Sequence, residues 1–114
     1  MLHEMKLAEG PFERMRKGEK VIELRLYDEK RQGIKIGDVI KFSKLPNLTE
    51  TLSVEVTGLL VYRTFPELIE DLPASYLGYK ESDKDYLKSS MYEIYSREDE
   101  EKYGVLGIRL KFIN

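Results

Sequence analysis

A short segment near the N-terminus places three charged residues at a spacing where they could act on one ligand. These are Lys20, Glu23 and Arg25, and the last two share a face if the segment is a strand. Charges on a covered strand face are costly unless they pair or line a hydrated cleft. The pattern therefore predicts either a polar cleft or a solvent-facing strand whose charges are bonded to neighbouring strands.

Other kinds of chemical site lack the residues that they need. The chain has one His and no Cys, which argues against a zinc site, a disulfide framework and a histidine-activated nucleophile. We expect His3 to be an exposed surface residue near the terminus. No glycine-rich phosphate loop lies between a strand and a helix. The sequence therefore predicts neither a metal nor a cofactor.

The composition bounds the class of protein. Of the 114 residues, 41% are hydrophobic and 35% are charged, which is enough apolar material for one core and predicts a single domain over 1–114. No apolar run reaches membrane-spanning length, and the N-terminus does not resemble a secretory signal. A cytoplasmic location is the default expectation.

The net charge of −2 hides an uneven distribution. The segment from Glu67 to Glu101 holds eleven acidic and four basic residues, a net −7, so the rest of the chain carries +5. A basic face could therefore bind nucleic acid although the chain is mildly acidic. The alternative is that the acidic residues form solvated helix faces and the basic excess is scattered.

Local patterns predict the elements that position the charged segment. A helix is expected from Pro11 to Gly18, with Phe12 and Met15 buried. Alternation over 21–27 predicts a strand with one apolar and one polar face. Three further strands are expected: Val39–Ser43 after a turn at 34–38, Leu52–Tyr62 with a bulge at Gly58, and Val105–Ile113, which would close the sheet.

Three capping signals predict helices between the last two strands. The signals are Thr64 with Glu67, Ser82 with Asp85, and Ser96 with Asp99. The first helix should bury Phe65, Leu68, Ile69 and Leu72, and the second Tyr86 or Leu87, Met91 and Ile94; the third, Arg97 to Tyr103, is short and polar. Strands with such an insertion describe an α+β domain built on a small mixed β-barrel.

The charged segment also carries a family resemblance. Gly18, Lys20, Glu23 and Arg25 reproduce the G-x-K-x-x-E-x-R signature of the ASCH domain. The stretches at 11–13, 28–31, 36–42 and 103–108 are also similar to small bacterial and archaeal ASCH proteins, so the resemblance covers nearly the whole chain. It implies a PUA-like fold, a small β-barrel with helices, and an RNA or nucleotide-like ligand.

The resemblance implies a cleft between barrel and helices, with the signature residues on its floor or rim. Lys20 and Arg25 would meet a phosphate or a base edge, and Glu23 would orient Arg25 or accept from a base amino group. Other residues would extend this surface: Lys30, Arg31, Arg14, Arg16 and Lys17 as cations, and Tyr27 and Tyr62 as stacking platforms for unpaired bases.

Two other functions stay open. A related ASCH branch resembles an amidohydrolase of N4-acetylcytidine that uses a Lys, a Thr and a Glu; Lys20 matches its Lys, but Glu23 stands where its Thr is expected. An enzyme of this type, or one that cleaves RNA as proposed for some members, would use Lys20 and Glu23. The other alternative is a protein-interaction domain whose acidic helices, 67–101, bind a basic partner. The sequence leaves the ligand's identity and the oligomeric state open.

Overall fold

The computed structural model describes residues 1–113, which form a five-stranded sheet and four α-helices. The strands are β1 (Leu2–Leu7), β2 (Ile22–Leu26), β3 (Val39–Lys44), β4 (Thr51–Tyr62) and β5 (Val105–Ile113). The helices are α1 (Glu9–Arg16), α2 (Phe65–Asp71), α3 (Lys84–Ser90) and α4 (Arg97–Tyr103). Over these residues no helix is both long and apolar enough to cross a membrane. The α+β class with a helical insertion is confirmed.

The sheet curls into a half-barrel with one open side. Its strand order is β1-β3-β4-β5-β2; β1 pairs in parallel with β3, and all other pairs are antiparallel. β5 lies between β4 and β2, so it is an inner strand rather than the closing strand that we expected. The register of β4 on β5 shifts between Val56 and Gly58, which confirms the predicted bulge. We call the gap between the edge strands β1 and β2 the seam.

Hydrophobic clusters cover both faces of β2. The apolar face packs against the helical insertion in a cluster that includes Ile22, Leu24, Leu26, Phe65, Leu68 and Ile69. On the opposite face, Glu23 and Arg25 pair across the ladder with Ile108 and Leu106, which belong to the cluster inside the half-barrel. Because cross-strand partners share a face, the polar face of β2 points into the half-barrel and not to solvent.

Two of the three predicted helix caps are present. The Thr64 hydroxyl accepts a hydrogen bond from the Glu67 N–H at 3.2 Å, and the Ser96 hydroxyl accepts one from Asp99 at 3.1 Å. The cap predicted at Ser82 is wrong. This serine lies inside a 3₁₀ turn, Glu81–Asp83, that precedes α3.

The buried face of α3 is shorter than the helical spacing predicts. Leu87 and Met91 are buried, but Tyr86 is 64% exposed and Ile94 is 73% exposed. The chain leaves the α-helix after Ser90 and continues in a 3₁₀ turn, so the 3.6-residue period no longer applies at Ile94. The predicted burial of Ile94 is therefore wrong.

A buried carboxylate ties the polar helix α4 to α2. Glu100 is 5% exposed; it accepts a hydrogen bond from the Phe65 N–H at 2.8 Å and one from the Tyr92 hydroxyl. Burial, together with the hydrogen bond to Glu100, raises the pKa of Tyr92 to about 12. Tyr92 is therefore a neutral donor at physiological pH, which suits the carboxylate.

Strand β1 has no counterpart among the predicted elements, and it changes the position of His3. The His3 side chain is only 14% exposed, and its Nε2 lies 2.8 Å from Oδ2 of Asp38. The expectation of an exposed histidine is wrong because the parallel pairing of β1 with β3 brings His3 beside the turn that precedes β3. The Lys35 N–H also donates to Asp38, at 2.9 Å.

Replacing Asp38 should reduce stability only where the carboxylate is ionised. The hydrogen bonds from His3 and from the Lys35 N–H hold the pKa of Asp38 well below its ordinary value of 3.8. A carboxyl group whose pKa is lowered in the folded state stabilises the fold at pH values above its pKa in the unfolded chain. This stability is lost as the pH falls below that unfolded-state pKa. Asp38→Asn should lower the thermal midpoint at neutral pH, and the difference from the native chain should shrink below about pH 4. The exposed Asp85→Asn is the control, and a pH-independent difference for Asp38→Asn would contradict the assignment.

Candidate functional site

The glycine of the signature ends α1 and turns the chain toward β2. Gly18 has φ +77° and donates to the Met15 carbonyl at 3.0 Å, while the Glu19 N–H donates to the Arg14 carbonyl at 2.8 Å. This is a Schellman motif, whose left-handed residue is usually glycine. A Cβ at Gly18 would meet no atom within 4 Å, so the backbone conformation, not space, requires the glycine. The turn delivers Lys20 to the seam.

A chain of polar contacts crosses the seam. Lys20 Nζ lies 3.2 Å from Glu23 Oε1, and Arg25 Nε donates to Glu23 Oε2 at 2.7 Å. Arg25 Nη2 then donates to the Lys6 carbonyl of β1 at 2.8 Å. The side chains of Lys20, Glu23 and Arg25 are 10%, 6% and 13% exposed. The charges therefore line the open side of the half-barrel, and a solvent-facing strand is excluded.

A cleft of about 330 Å³, which we call the seam cleft, lies against this chain of contacts. Its charged end is formed by Lys6, Arg14, Lys20, Glu23 and Arg25. The opposite wall is apolar and comes from α1, α3 and the turns beside α3: Pro11, Leu77, Leu87, Met91 and Ile94. Ile94, exposed instead of buried, is thus part of this wall. Four cations and one carboxylate make the charged end attractive to anions.

Two tyrosines line the seam cleft. The Arg14 guanidinium lies 4.4 Å from the centre of the Tyr79 ring, and its Nη1 donates to the Tyr79 hydroxyl at 3.0 Å. The Tyr95 ring stacks on Phe65 at 5.1 Å with an angle of 22°. Burial raises the pKa of the Tyr95 hydroxyl, which therefore stays neutral and can donate a hydrogen bond.

The structure does not bring the tyrosines named from the sequence to this cleft. Tyr27 packs against the cluster inside the half-barrel. Tyr62 packs against the helical insertion, and its hydroxyl donates to Asp71 at 2.8 Å. Lys30 and Arg31 lie with Arg25 in a neighbouring cleft on the far side of the seam contacts. Arg14, Lys20, Glu23 and Arg25 are therefore the members of the predicted set that share the seam cleft.

Lys6 and the cleft tyrosines were missed for two different reasons. Lys6 belongs to β1, which reaches the seam through its pairing with β3, about thirty-seven positions further along the chain. The alternation of His3, Met5 and Leu7 is the sequence signal that could have revealed β1. No comparable local signal distinguishes Tyr79 and Tyr95 from the other six tyrosines. Among residues 1–113 there is also no group of three or more His, Asp or Glu placed to hold a metal ion.

Removing the buried carboxylate should destabilise the fold. Glu23→Gln leaves Lys20 and Arg25 as two mostly buried cations without a counter-charge, and breaking a buried pair in this way costs about 3 kcal/mol or more. Urea unfolding should show a correspondingly lower free energy of unfolding. Glu13→Gln, which breaks more exposed pairs with Arg16 and Lys44, should cost much less. Equal losses would show that the seam pairs are no more important than surface pairs.

Gly18→Ala tests the turn into β2. Alanine at a left-handed residue costs about 1–2 kcal/mol of unfolding free energy. Gly33→Ala is the matched control, because Gly33 lacks a positive φ and a Cβ there would also meet no atom within 4 Å. Thermal or urea unfolding of both variants measures the difference, and a neutral Gly18→Ala would mean that the turn tolerates a side chain.

Solved structures of similar proteins share this architecture. The hypothetical protein PH0355 is 37% identical with a TM-score of 0.85, over 99% of this chain and 100% of that chain. Protein PF0455 from Pyrococcus furiosus is 35% identical with a TM-score of 0.75, over 100% of this chain and 99% of that chain. A mutant of ZmASCH from Zymomonas mobilis is similar in fold alone, with 9% identity and a TM-score of 0.66 over 99% of this chain and 73% of that chain. No curated protein matches.

The family assignment follows from the match to a family model. The model of the ASCH domain matches residues 5–114, which include the signature segment, α1 and all strands but the first residues of β1. The resemblance seen in the signature is confirmed, and the chain belongs to the ASCH domain family.

Proposed function

We propose that this protein binds single-stranded RNA, or a nucleotide-sized piece of it, in the seam cleft. The observation that carries the proposal is that one cleft of about 330 Å³ combines a charged end with an apolar wall. Clefts of this size and character take small ligands. Membership of the ASCH family, whose PUA-like domains are regarded as RNA-binding, supports the same class of ligand.

The apolar wall and the charged end of the seam cleft match the base and the phosphate of an unpaired nucleotide. A base offers an aromatic face, which the apolar wall and the Tyr95 ring can contact. The phosphate and the base edge offer acceptors, which Lys20 and Arg25 can meet; the guanidinium binds in a planar, bidentate way and the ammonium as a mobile point charge.

In this proposal Glu23 arranges the cations before a ligand arrives. Its two oxygens face Lys20 and Arg25 at 3.2 and 2.7 Å, so both side chains are held near the cleft. Side chains that are already ordered lose less entropy on binding. The carboxylate leaves the cluster with a net positive charge, so attraction to phosphate is retained.

The cleft chemistry supports binding better than amide hydrolysis. Among the described residues that line the cleft, Ser90 carries the one aliphatic hydroxyl, and its Oγ donates to the Leu87 carbonyl at 2.9 Å. A hydroxyl nucleophile needs a base within hydrogen-bond reach. The hydrogen bond of Ser90 is directed at the backbone, and Lys20 is paired with Glu23 instead.

Three carboxylates of the acidic helices are engaged within the fold. Glu70 pairs with Lys88 at 2.6 Å, Glu81 pairs with Lys84 at 3.2 Å, and Glu100 is buried. Both lysines belong to the same segment, so these pairs leave its net charge of −7 unchanged. The preference for the seam cleft therefore comes from the cleft itself and not from a weaker charge on the helices.

Replacing Lys20 should weaken RNA binding. Lys20→Met keeps the aliphatic stem and leaves Glu23 paired with Arg25. The loss of one hydrogen bond to a charged group costs about 1.5 kcal/mol or more of binding free energy. This corresponds to a dissociation constant at least ~10-fold larger. Fluorescence anisotropy with a labelled single-stranded RNA octamer of random sequence, at low salt, measures the change.

The matched control is Lys35→Met, at an exposed lysine that lines neither the seam cleft nor its neighbour. Circular dichroism checks that both variants fold. Equal affinities for the two variants would remove the seam cleft as the binding site. A native protein that bound neither the octamer nor any of the four ribonucleosides would end the proposal itself.

A further inference from the structure

A second cleft lies on the other side of the Arg25 guanidinium. It has a volume of about 470 Å³ and shares Lys6 and Arg25 with the seam cleft. Arg25 Nε and Nη2 are used by Glu23 and by the Lys6 carbonyl, and Nη1 takes part in neither contact. The guanidinium therefore stands between two clefts, and a ligand long enough to pass it would contact both.

Most of the charged residues that line this second cleft are cations. Four cations line it: Lys6, Arg25, Lys30 and Arg31. The single carboxylate in its lining is that of Glu4, which lies on the exposed side of β1. Lys30 is exposed and immediately precedes the 3₁₀ turn Arg31–Gly33. Arg25 and Arg31 are also paired with Glu23 and Asp28. Lys6 and Lys30 still outnumber Glu4, so the cleft keeps a net positive charge, which suits the single negative charge of a phosphodiester.

Arg31 has a buried donor that the fold leaves without a partner. Its Nη1 donates to Asp28 at 3.0 Å, which fixes the guanidinium. Its Nε is buried and makes no hydrogen bond within residues 1–113. Buried polar atoms in native proteins are nearly always satisfied, so the pairing with Asp28 leaves part of the hydrogen-bonding capacity of this guanidinium unused.

We propose that the second cleft is a phosphate subsite, which holds a backbone phosphodiester of single-stranded RNA while a neighbouring nucleotide occupies the seam cleft. This deepens the function proposed above and rests on it. The shared residues Lys6 and Arg25 make the two clefts continuous. A single strand of RNA is continuous as well, so one nucleotide can lie in the seam cleft while the next phosphate lies in the second cleft. A single nucleotide would fill one cleft, whereas a strand would pass the Arg25 guanidinium and fill both.

Lys30→Met tests the subsite, because Lys30 lines the second cleft and not the seam cleft. For single strands, each phosphate contact contributes about 0.7 to the slope of log K against log salt concentration. Lys30→Met should reduce that slope by about 0.7 and weaken binding of the RNA octamer about tenfold at low salt. Lys35→Met should leave both unchanged. Titrations of the octamer over a range of potassium chloride concentrations give both values.

A second measurement reports on Arg31 without replacing it. In a ¹⁵N-labelled protein, the Nε–Hε resonance of Arg31 should shift strongly when the octamer is added, because a phosphate then lies beside the Arg31 guanidinium. In the Lys30→Met variant the shift should be smaller at the same RNA concentration. An unchanged Arg31 resonance at saturating RNA would overturn the subsite.

The outcomes separate the two proposals. If Lys20→Met weakens octamer binding and Lys30→Met does not change the salt slope, the phosphate subsite is wrong and the seam cleft stands. If the native protein binds neither the octamer nor any of the four ribonucleosides, both fall; if it binds a ribonucleoside but not the octamer, only the phosphate subsite is wrong. If an octamer of glutamate binds as tightly as the RNA and depends equally on Lys30, the second cleft recognises acidic peptides and the assignment to RNA is wrong.

Discussion

The open side of the half-barrel is held by one buried carboxylate. Glu23 is 5% exposed and is tolerated because Lys20 and Arg25 face its two oxygens. A buried carboxylate without partners would cost several kcal/mol, so the rest of the seam is arranged around this pair of contacts. Arg25 extends the arrangement to the Lys6 carbonyl on β1 and thereby joins two strands that share no ladder in the described chain. The site and the closure of the fold are one network.

This dual role explains why charged residues lie where a closed barrel would have apolar ones. Had β1 and β2 paired, their backbone groups would satisfy each other, and the interior would be sealed. Because the seam stays open, the Arg25 side chain supplies a hydrogen bond to the backbone of the edge strand β1. The open seam also leaves a cleft on each side of the Arg25 guanidinium. The helical insertion then covers the apolar face of β2 and supplies the uncharged wall of the seam cleft through α3 and the turns beside it. The charged end and the apolar wall of the seam cleft thus meet at the edge strand β2.

Much of this site was predictable from local patterns, because its main residues lie within eight positions of one another. Gly18 is recognisable as a helix stop, and alternation places Glu23 and Arg25 on one face. The tyrosines were less predictable. A tyrosine suits a half-buried position of almost any kind, so residue type alone does not distinguish Tyr79 and Tyr95, which line the cleft, from Tyr27 and Tyr62, which do not. Ser82 shows a similar limit, since a hydroxyl before an acidic residue occurs in 3₁₀ turns as well as at helix starts.

Local sequence patterns were enough to predict the family, the α+β class, the bulge at Gly58 and the helix caps at Thr64 and Ser96. Each of these depends on neighbouring residues, whose backbone conformations and hydrogen bonds are local. The tertiary structure was needed to establish which way the polar face of β2 points, because a period of two identifies two faces but not what covers each of them. It also decided that β1 pairs with β3, that β5 lies inside the sheet, and that Lys6 reaches Arg25. These contacts join residues far apart in the chain, and their free energy comes from burial and pairing that no local pattern records.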